Sequence, residues 1–180
     1  HLDPRRLFAR EAVRLVGDAP VVVSSPDPGG VKRAQLFRET LQATLGRPVG
    51  SAFLEKRRSG GTVTGELLAG EVEGATVLVI DDLISPGGTL ARAAKACLEY
   101  GADKVFAFAA HGLFVGDASD VIRQSGLAQT LITDTVRPFK LATDLIGRNV
   151  SILSAASLFA DAICCCEGEG SITELLEGPA

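Results

Sequence analysis

The 180-residue sequence contains no methionine and no tryptophan, one tyrosine, two histidines and four cysteines. With histidine only at positions 1 and 111, we find no convincing serine–histidine–aspartate set for hydrolysis. No apolar run is long enough to span a membrane, and no signal peptide is visible. Methionine is missing at position 1 as well, which predicts that the natural N-terminus lies upstream.

The cysteines are too few and too badly spaced for a disulfide framework. Cys97 stands alone, and Cys164, Cys165 and Cys166 are consecutive, which suits neither disulfide pairing nor the C-x-x-C spacing of a zinc site. We therefore expect a reduced, cytoplasmic protein. A net charge of −4 argues against a general nucleic-acid binder. The length and the 46% hydrophobic content predict one globular domain over residues 1–180.

Strand-like and helix-like segments alternate along the chain, which predicts an α/β fold with a largely parallel sheet flanked by helices and right-handed crossovers. Gly17 and Gly46 follow two helical patterns as stop signals. The predicted helices are 4–16, 31–45, 89–100, 118–124 and one that is capped by Ser154 and ends at about Cys164. The predicted strands are 20–25, 49–54, 65–72, 77–80, 104–110, 128–133 and 150–153.

The stretch from Val77 to Thr89 carries the strongest chemical pattern. A buried strand ends at two carboxylates, Asp81 and Asp82, and two glycines then lead into a helix. Glycine amides and a helix N-terminus bind anions, because their N–H groups have no intrahelical partner. Acids beside such a loop suit sugar hydroxyls or Mg²⁺, so the pattern favours a phosphorylated sugar. The alternative is a plain strand-to-helix turn with its acids in water.

Two more loops should meet this one at the carboxyl ends of the strands. The segment from Asp27 to Gly30 combines an acid with two glycines before a helix, and could hold a metal and a second phosphate. The polar segment 55–62, with its basic residues at positions 56 to 58, predicts a mobile loop that closes on phosphates. Alternatively, the first is a tight turn and the second a solvated basic patch. Together the three loops favour phosphoryl or pyrophosphoryl chemistry with Mg²⁺.

In this order the loops resemble ribose-phosphate diphosphokinase, also called phosphoribosyl pyrophosphate (PRPP) synthetase, over nearly the whole chain and in the C-terminal half of that enzyme. Ser25-Pro-Asp-Pro-Gly-Gly-Val-Lys-Arg33 is similar to the family's pyrophosphate loop, and Glu55-Lys-Arg-Arg58 to its catalytic flexible loop. Further matching blocks are Glu71–Thr89, Ala110–Gly116 and Leu158–Ile163. The resemblance implies a type I phosphoribosyltransferase-like fold.

The resemblance also implies a reaction and its residues. The diphosphoryl group of ATP would move to ribose 5-phosphate, giving PRPP and AMP, in hexamers built from dimers. Lys56 and Arg58 would be catalytic, and Asp27 would help to hold Mg²⁺. The implied substrate-binding residues are Gly29 and Gly30 at the pyrophosphate, Asp81 and Asp82 at the ribose hydroxyls, and Ser85, Pro86, Gly87, Gly88 and Thr89 around the 5-phosphate.

The chain departs from the family at two neighbouring positions. The family usually has an acid where Ser85 stands and a threonine where Pro86 stands. Pro86 offers neither a hydroxyl nor an amide N–H, so we expect weakened phosphate binding. The family's N-terminal half, with its Arg-Gln-Asp loop and Asp-Leu-His segment, is not within these residues, and we expect the chain alone not to make PRPP. Only Ser171 and Thr173 keep hydroxyls in the tail segment that the family links to regulation.

Two other functions stay open at this point. One is a non-catalytic module that binds sugar phosphate or regulates an active relative, which the changes at Ser85 and Pro86 favour. The other is a nucleobase phosphoribosyltransferase, which shares the fold and the Asp81–Thr89 signature but needs a hood segment to hold a base. No such segment is evident in the sequence. Ser24, Ser25 and His111 are interpreted as strand-end residues, and the cysteine run as a helix end.

Overall fold

A computed structural model describes residues 2–59, 62–168 and 170–177 of the chain. Seven strands form one sheet in the order β3-β2-β1-β4-β5-β6-β7, in which only β3 runs antiparallel to its neighbour. The strands are β1 Val21–Ser25, β2 Gly50–Ser59, β3 Thr62–Ala69, β4 Thr76–Ile84, β5 Lys104–Gly112, β6 Gln129–Thr133 and β7 Val150–Leu153. The helices are α1 Arg5–Val16, α2 Val31–Leu45, α3 Gly88–Glu99, α4 Ala118–Gln124, α5 Ala156–Glu167 and α6 Ile172–Glu177. The predicted α/β fold with a largely parallel sheet is confirmed.

The central strands are buried on both faces, as their continuous apolar sequence predicts. Val77 and Val79 belong to one core cluster with residues of α3 and α4, whereas Leu78 and Ile80 belong to another with residues of α1 and α2. Successive side chains of a strand point to opposite faces, so the two clusters cover the two sides of β4. In the second cluster the ring of Phe108 contacts the rings of Phe8 and Phe37, with centroids 5.4 and 6.0 Å away.

Glycine ends two of the helices where the sequence predicts it. Gly46 follows α2 in the left-handed region (φ 65°), and its N–H donates to the carbonyl of Gln42. Gly17 follows α1, which begins at Arg5, while the carboxylate of Asp3 accepts the N–H of Arg5. The described residues contain no helix with the length and apolar character required to cross a bilayer.

Two of the predictions about strand length are wrong. The segment 55–62 is not a loop over its whole length, since β2 continues to Ser59 and pairs with β3 as an antiparallel hairpin. An antiparallel hairpin at the sheet edge does not have to be buried on both of its faces, so the polar residues of this segment are compatible with strand structure. Strand β4 likewise runs four residues past Ile80, because β5 continues beside it and pairs Leu83 with His111. Helix α6 and the 3₁₀ turns Pro28–Gly30 and Thr143–Leu145 were not predicted.

Candidate active site

The loops that follow β1 and β4 lie next to each other at one edge of the sheet. These strands are parallel neighbours, with Ser24 beside Val79, so their carboxyl ends meet there. Strand β2 is parallel to β1 on its other side and passes the end of β1 at the pair Ser25–Phe53. The hairpin formed by β2 and β3 therefore extends beyond the sheet on the side where the two loops lie.

The loop after β1 is a compact turn held by its own polar groups. The carboxylate of Asp27 accepts the N–H of Gly30 at 3.0 Å, and the hydroxyl of Ser25 donates to the Asp27 carbonyl at 2.5 Å. A side chain at Gly30 would place its Cβ 2.6 Å from the Ser25 hydroxyl oxygen, so the loop requires glycine there. Ser25 is almost completely buried and supports the loop, a role that its interpretation as a strand-end residue missed.

An arginine that was assigned no role joins the start of α2 to the acid pair of β4. Arg33 lies in the first turn of α2, and its two terminal nitrogens contact different carboxylates. Nη1 lies 3.3 Å from Oδ1 of Asp81, and Nη2 lies 2.6 Å from Oδ2 of Asp82. The sequence signal that could have revealed this contact is the position of Arg33, three residues past Gly30. Arg33 directly follows a loop that lies at the same end of the parallel strands as Asp81 and Asp82.

The two acids differ in environment. The side chain of Asp81 is 14% exposed and that of Asp82 is 62% exposed. Burial raises the pKa of Asp81 from 3.8 to about 6; the backbone N–H of Asp82 lowers it, the neighbouring Asp82 carboxylate raises it, and the charge of Arg33 lowers it. Asp81 is therefore ionised near neutral pH, but takes up a proton at a higher pH than an ordinary aspartate.

The loop after β4 presents the N-terminus of α3. Gly87 adopts a left-handed conformation (φ 83°), and no side chain of the described residues caps the helix. The first-turn N–H groups of α3 consequently remain available to an anion. The carbonyl of Ser85 accepts the N–H of Val115 at 3.0 Å, which anchors the loop to the segment after β5. Pro86 is exposed and Thr89 half-buried, so the loop opens to solvent.

The catalytic residues implied by the resemblance lie on the hairpin. Lys56 and Arg58 belong to β2, where their backbones pair with Glu66 and Val63 of β3. Their side chains, like those of all residues from 55 to 67, lie outside the described part of the structure. Their catalytic role therefore stays a prediction.

His111 is a strand-end residue, as predicted, since β5 ends at Gly112, and it also lies near the acid pair. It lines a pocket together with Arg33, Asp81 and Asp82, and its Nδ1 is 2.7 Å from the hydroxyl oxygen of Thr135. The pocket is lined both by apolar side chains, among them Phe8 of α1, Phe37 of α2 and Ile80 of β4, and by charged groups. His111 is therefore placed to contact a ligand that reaches the acid pair.

A metal ion would find part of a ligand set at Asp27. One oxygen of this carboxylate accepts a hydrogen bond from the N–H of Gly30, and the other accepts no hydrogen bond from the described residues. Within the described ranges no cluster of three or more histidines, cysteines or acids could hold a metal. Mg²⁺ is commonly held by one or two carboxylates together with substrate phosphates and water, so a single Asp27 is compatible with a metal that arrives with phosphate.

Two family models match most of the chain. The phosphoribosyl synthetase-associated domain matches residues 62–176, and the phosphoribosyl transferase domain matches residues 5–112. The chain is 41% identical over 160 residues to a ribose-phosphate pyrophosphokinase of Vibrio parahaemolyticus, covering 88% of this chain and 48% of the relative. It is 38% identical over 144 residues to the corresponding protein of Caldanaerobacter subterraneus, covering 79% of this chain and 43% of the relative. The chain thus spans about half the length of these curated relatives.

Solved structures with a similar fold come from both synthetases and transferases. Phosphoribosylpyrophosphate synthetase from Mycobacterium smegmatis superimposes with a TM-score of 0.77 at 29% identity, over 93% of this chain and 51% of that one. A hypoxanthine-guanine phosphoribosyltransferase from Bacillus anthracis gives a TM-score of 0.50 at 15% identity, over 84% of this chain and 75% of that one. The second likeness concerns the fold alone.

Proposed function

Since the chain belongs to the ribose-phosphate pyrophosphokinase (PRPP synthetase) family, we propose that it forms the catalytic half of an enzyme that makes PRPP and AMP from ATP and ribose 5-phosphate. One observation carries the proposal. Asp81 and Asp82 lie near the end of β4, and a short loop leads from that strand to the N-terminus of α3, which no side chain of the described residues caps; the Asp27 loop follows the neighbouring parallel strand β1. This end of the sheet provides acceptors for sugar hydroxyls, amides for a phosphate and a carboxylate for a metal.

Each group has one task in the proposed reaction. The first turn of α3 binds the 5-phosphate, and the acids orient the ribose so that its O1 meets the β-phosphorus of ATP. A bond forms between these atoms, and the bond from the β-phosphorus to the oxygen that bridges it to the α-phosphorus breaks. AMP leaves with that oxygen, and the O1 proton passes to solvent. Lys56 and Arg58 stabilise negative charge on the transferred group. Mg²⁺ held at Asp27 would neutralise charge on the diphosphate.

A second candidate is a module that binds sugar phosphate without catalysis. Pro86 favours it, because this exposed residue at the phosphate loop has no N–H to donate. The acid pair and the Asp27 loop favour the enzyme, and they are the reason for ranking catalysis first. A nucleobase phosphoribosyltransferase is the third hypothesis, supported by the shared fold and by the Asp81–Thr89 signature.

Three measurements on the same proteins separate the three functions. The chain and the whole gene product are each incubated with ATP, Mg²⁺ and ribose 5-phosphate, and AMP is measured by chromatography. We expect the gene product to form AMP only when ribose 5-phosphate is present. The variant Asp82→Asn should lose most of this activity. The control Asp103→Asn should keep it, because this acid precedes β5 at the opposite ends of the parallel strands. If ribose 5-phosphate raises the melting temperature of the protein but no AMP forms, the binding module is favoured. Pyrophosphate release from PRPP and a base would favour the transferase.

The family premise supports three further parts of the proposal. These are a single phosphoribosyltransferase-like domain over residues 1–180, a homo-oligomer that is a hexamer built from dimers, and a location in the cytoplasm. Light scattering on the purified gene product would measure the mass of the assembly. A monomer at working concentration would refute the oligomeric part and leave the reaction untouched.

A further inference from the structure

Arg33 holds both acids of the candidate sugar site with one planar group. Its guanidinium contacts Oδ1 of Asp81 and Oδ2 of Asp82 with separate nitrogens, at 3.3 and 2.6 Å. The residues are 48 and 49 positions apart in the sequence. The arginine also lies close to the Asp27 loop, since a Cβ at Gly30 would lie 3.2 Å from its Nη1. One side chain thus contacts both acids from the first turn of the helix that follows this loop.

The fork leaves one oxygen of each carboxylate open. Oδ1 of Asp81 also accepts the N–H of Asp82 at 2.8 Å, so it is fully engaged. Oδ2 of Asp81 and Oδ1 of Asp82 accept no hydrogen bond from the described residues, and both side chains line the same pocket. The other charged or titratable side chains that line this pocket are Asp3, Arg5 and His111. Two open acceptors on adjacent residues are suited to two adjacent hydroxyl groups.

We infer that Arg33 is a positioning residue that aligns the open oxygens of Asp81 and Asp82 with the vicinal hydroxyls of ribose, and thereby sets selectivity for ribose 5-phosphate over 2-deoxyribose 5-phosphate. The inference rests on the proposed function, because it assumes that the acids meet the sugar. A hydroxyl donating to a charged acceptor contributes about tenfold or more to affinity. That contribution is obtained only while both carboxylates keep their orientation.

The shape of the guanidinium, and not its charge alone, carries this role. Arginine presents several N–H groups in a rigid plane, whereas lysine is a point charge on a flexible chain. A lysine at position 33 would keep a positive charge near the acids but could not hold two carboxylates in a fixed relative geometry. Charge and orientation can therefore be separated by comparing glutamine with lysine.

The test measures binding of both sugar phosphates by isothermal titration at pH 7.5. The proteins are wild type, Arg33→Gln, Arg33→Lys and the control Lys32→Gln, which removes a charge from the exposed neighbour. We expect wild type and Lys32→Gln to prefer ribose 5-phosphate by about tenfold or more. In Arg33→Gln and Arg33→Lys the preference should fall to about twofold, even where lysine preserves overall affinity. Circular dichroism confirms that each variant is folded.

The possible outcomes separate a failure of the Arg33 role from a failure of the proposed function. A wild-type preference that persists in Arg33→Lys would overturn the role of the fork, as would a wild type that binds both sugars equally. Either result leaves ribose 5-phosphate binding, and hence the proposed function, intact. Absence of binding by the wild-type chain and by the whole gene product would overturn both. If Arg33→Gln does not fold, Arg33→Lys decides the question.

Discussion

Replacement of Pro86 by threonine should strengthen binding of ribose 5-phosphate. Pro86 lies in the loop between β4 and α3, where it is exposed, so a threonine side chain fits without displacing a neighbour. The loop is anchored through the carbonyl of Ser85, which accepts the N–H of Val115 and is not altered by the substitution. The change adds a backbone N–H and a hydroxyl beside the uncapped N-terminus of α3.

The magnitude follows from the type of bond that is added. One hydrogen bond from the protein to a charged phosphate is worth about 1.5–3 kcal/mol. This corresponds to about a tenfold to hundredfold decrease in Kd. Threonine also restores backbone freedom to the unfolded chain, which lowers stability by about 0.4–1 kcal/mol. That cost lowers the melting temperature slightly and does not offset the gain in affinity.

Isothermal titration of ribose 5-phosphate into wild type, Pro86→Thr and Pro48→Thr provides the measurement. Pro48 is also exposed, but it precedes β2 at the opposite edge of the sheet. The control should leave affinity unchanged, and free ribose should show no gain with either variant. An unchanged Kd in Pro86→Thr would refute the argument that the missing donors weaken the phosphate site.

Three further predictions concern a carboxylate, the thiols and the aromatic core. Because the pKa of Asp81 is raised to about 6, its acceptor form is lost as pH falls through that value. Affinity for ribose 5-phosphate should therefore be about tenfold lower at pH 5 than at neutral pH. The Asp81→Asn variant measures the part of the pH dependence that comes from titration of the substrate phosphate, and the tenfold loss should be additional to that part. In native protein, iodoacetamide should label residues 164–166 and spare Cys97, whose burial raises its pKa to about 11; peptide mass spectrometry would detect the opposite pattern. Phe108→Ala should cost about 3–5 kcal/mol of unfolding free energy in urea titrations, whereas Phe139→Ala, at a residue that is 81% exposed, should cost less than about 1 kcal/mol. Equal losses in the two would contradict the packing argument.

Helix and strand patterns were largely predictable because their signals are local. The predicted helix 31–45 coincides with α2, and the predicted helix 118–124 coincides with α4. The spacing of the apolar residues and the glycine that ends the helix are enough to define α2. Both signals act between residues that are no more than about one helical turn apart in the sequence. The strand–loop–helix order around the acid pair is likewise legible in the sequence.

The edge hairpin and the extension of β4 were not predictable in this way. Both depend on a neighbouring strand that supplies hydrogen bonds to residues of low intrinsic strand preference. The polar segment 55–59 is extended because β3 pairs with it, and residues 81–84 are extended because β5 runs alongside. Such pairing partners cannot be identified from a local pattern.

By itself the sequence predicted residues that would bind phosphate, sugar and metal: the acid pair, the glycines at the start of α3 and the Asp27 loop. The tertiary structure alone decided that Arg33 contacts both acids, because the parallel pairing of β1 with β4 brings the start of α2 next to Asp81 and Asp82, which lie 48 and 49 residues after Arg33. It also decided that Ser25 is buried beneath Gly30 and that the pKa of Asp81 is raised. Distances and desolvation arise from packing between segments, and no spacing within one segment encodes them.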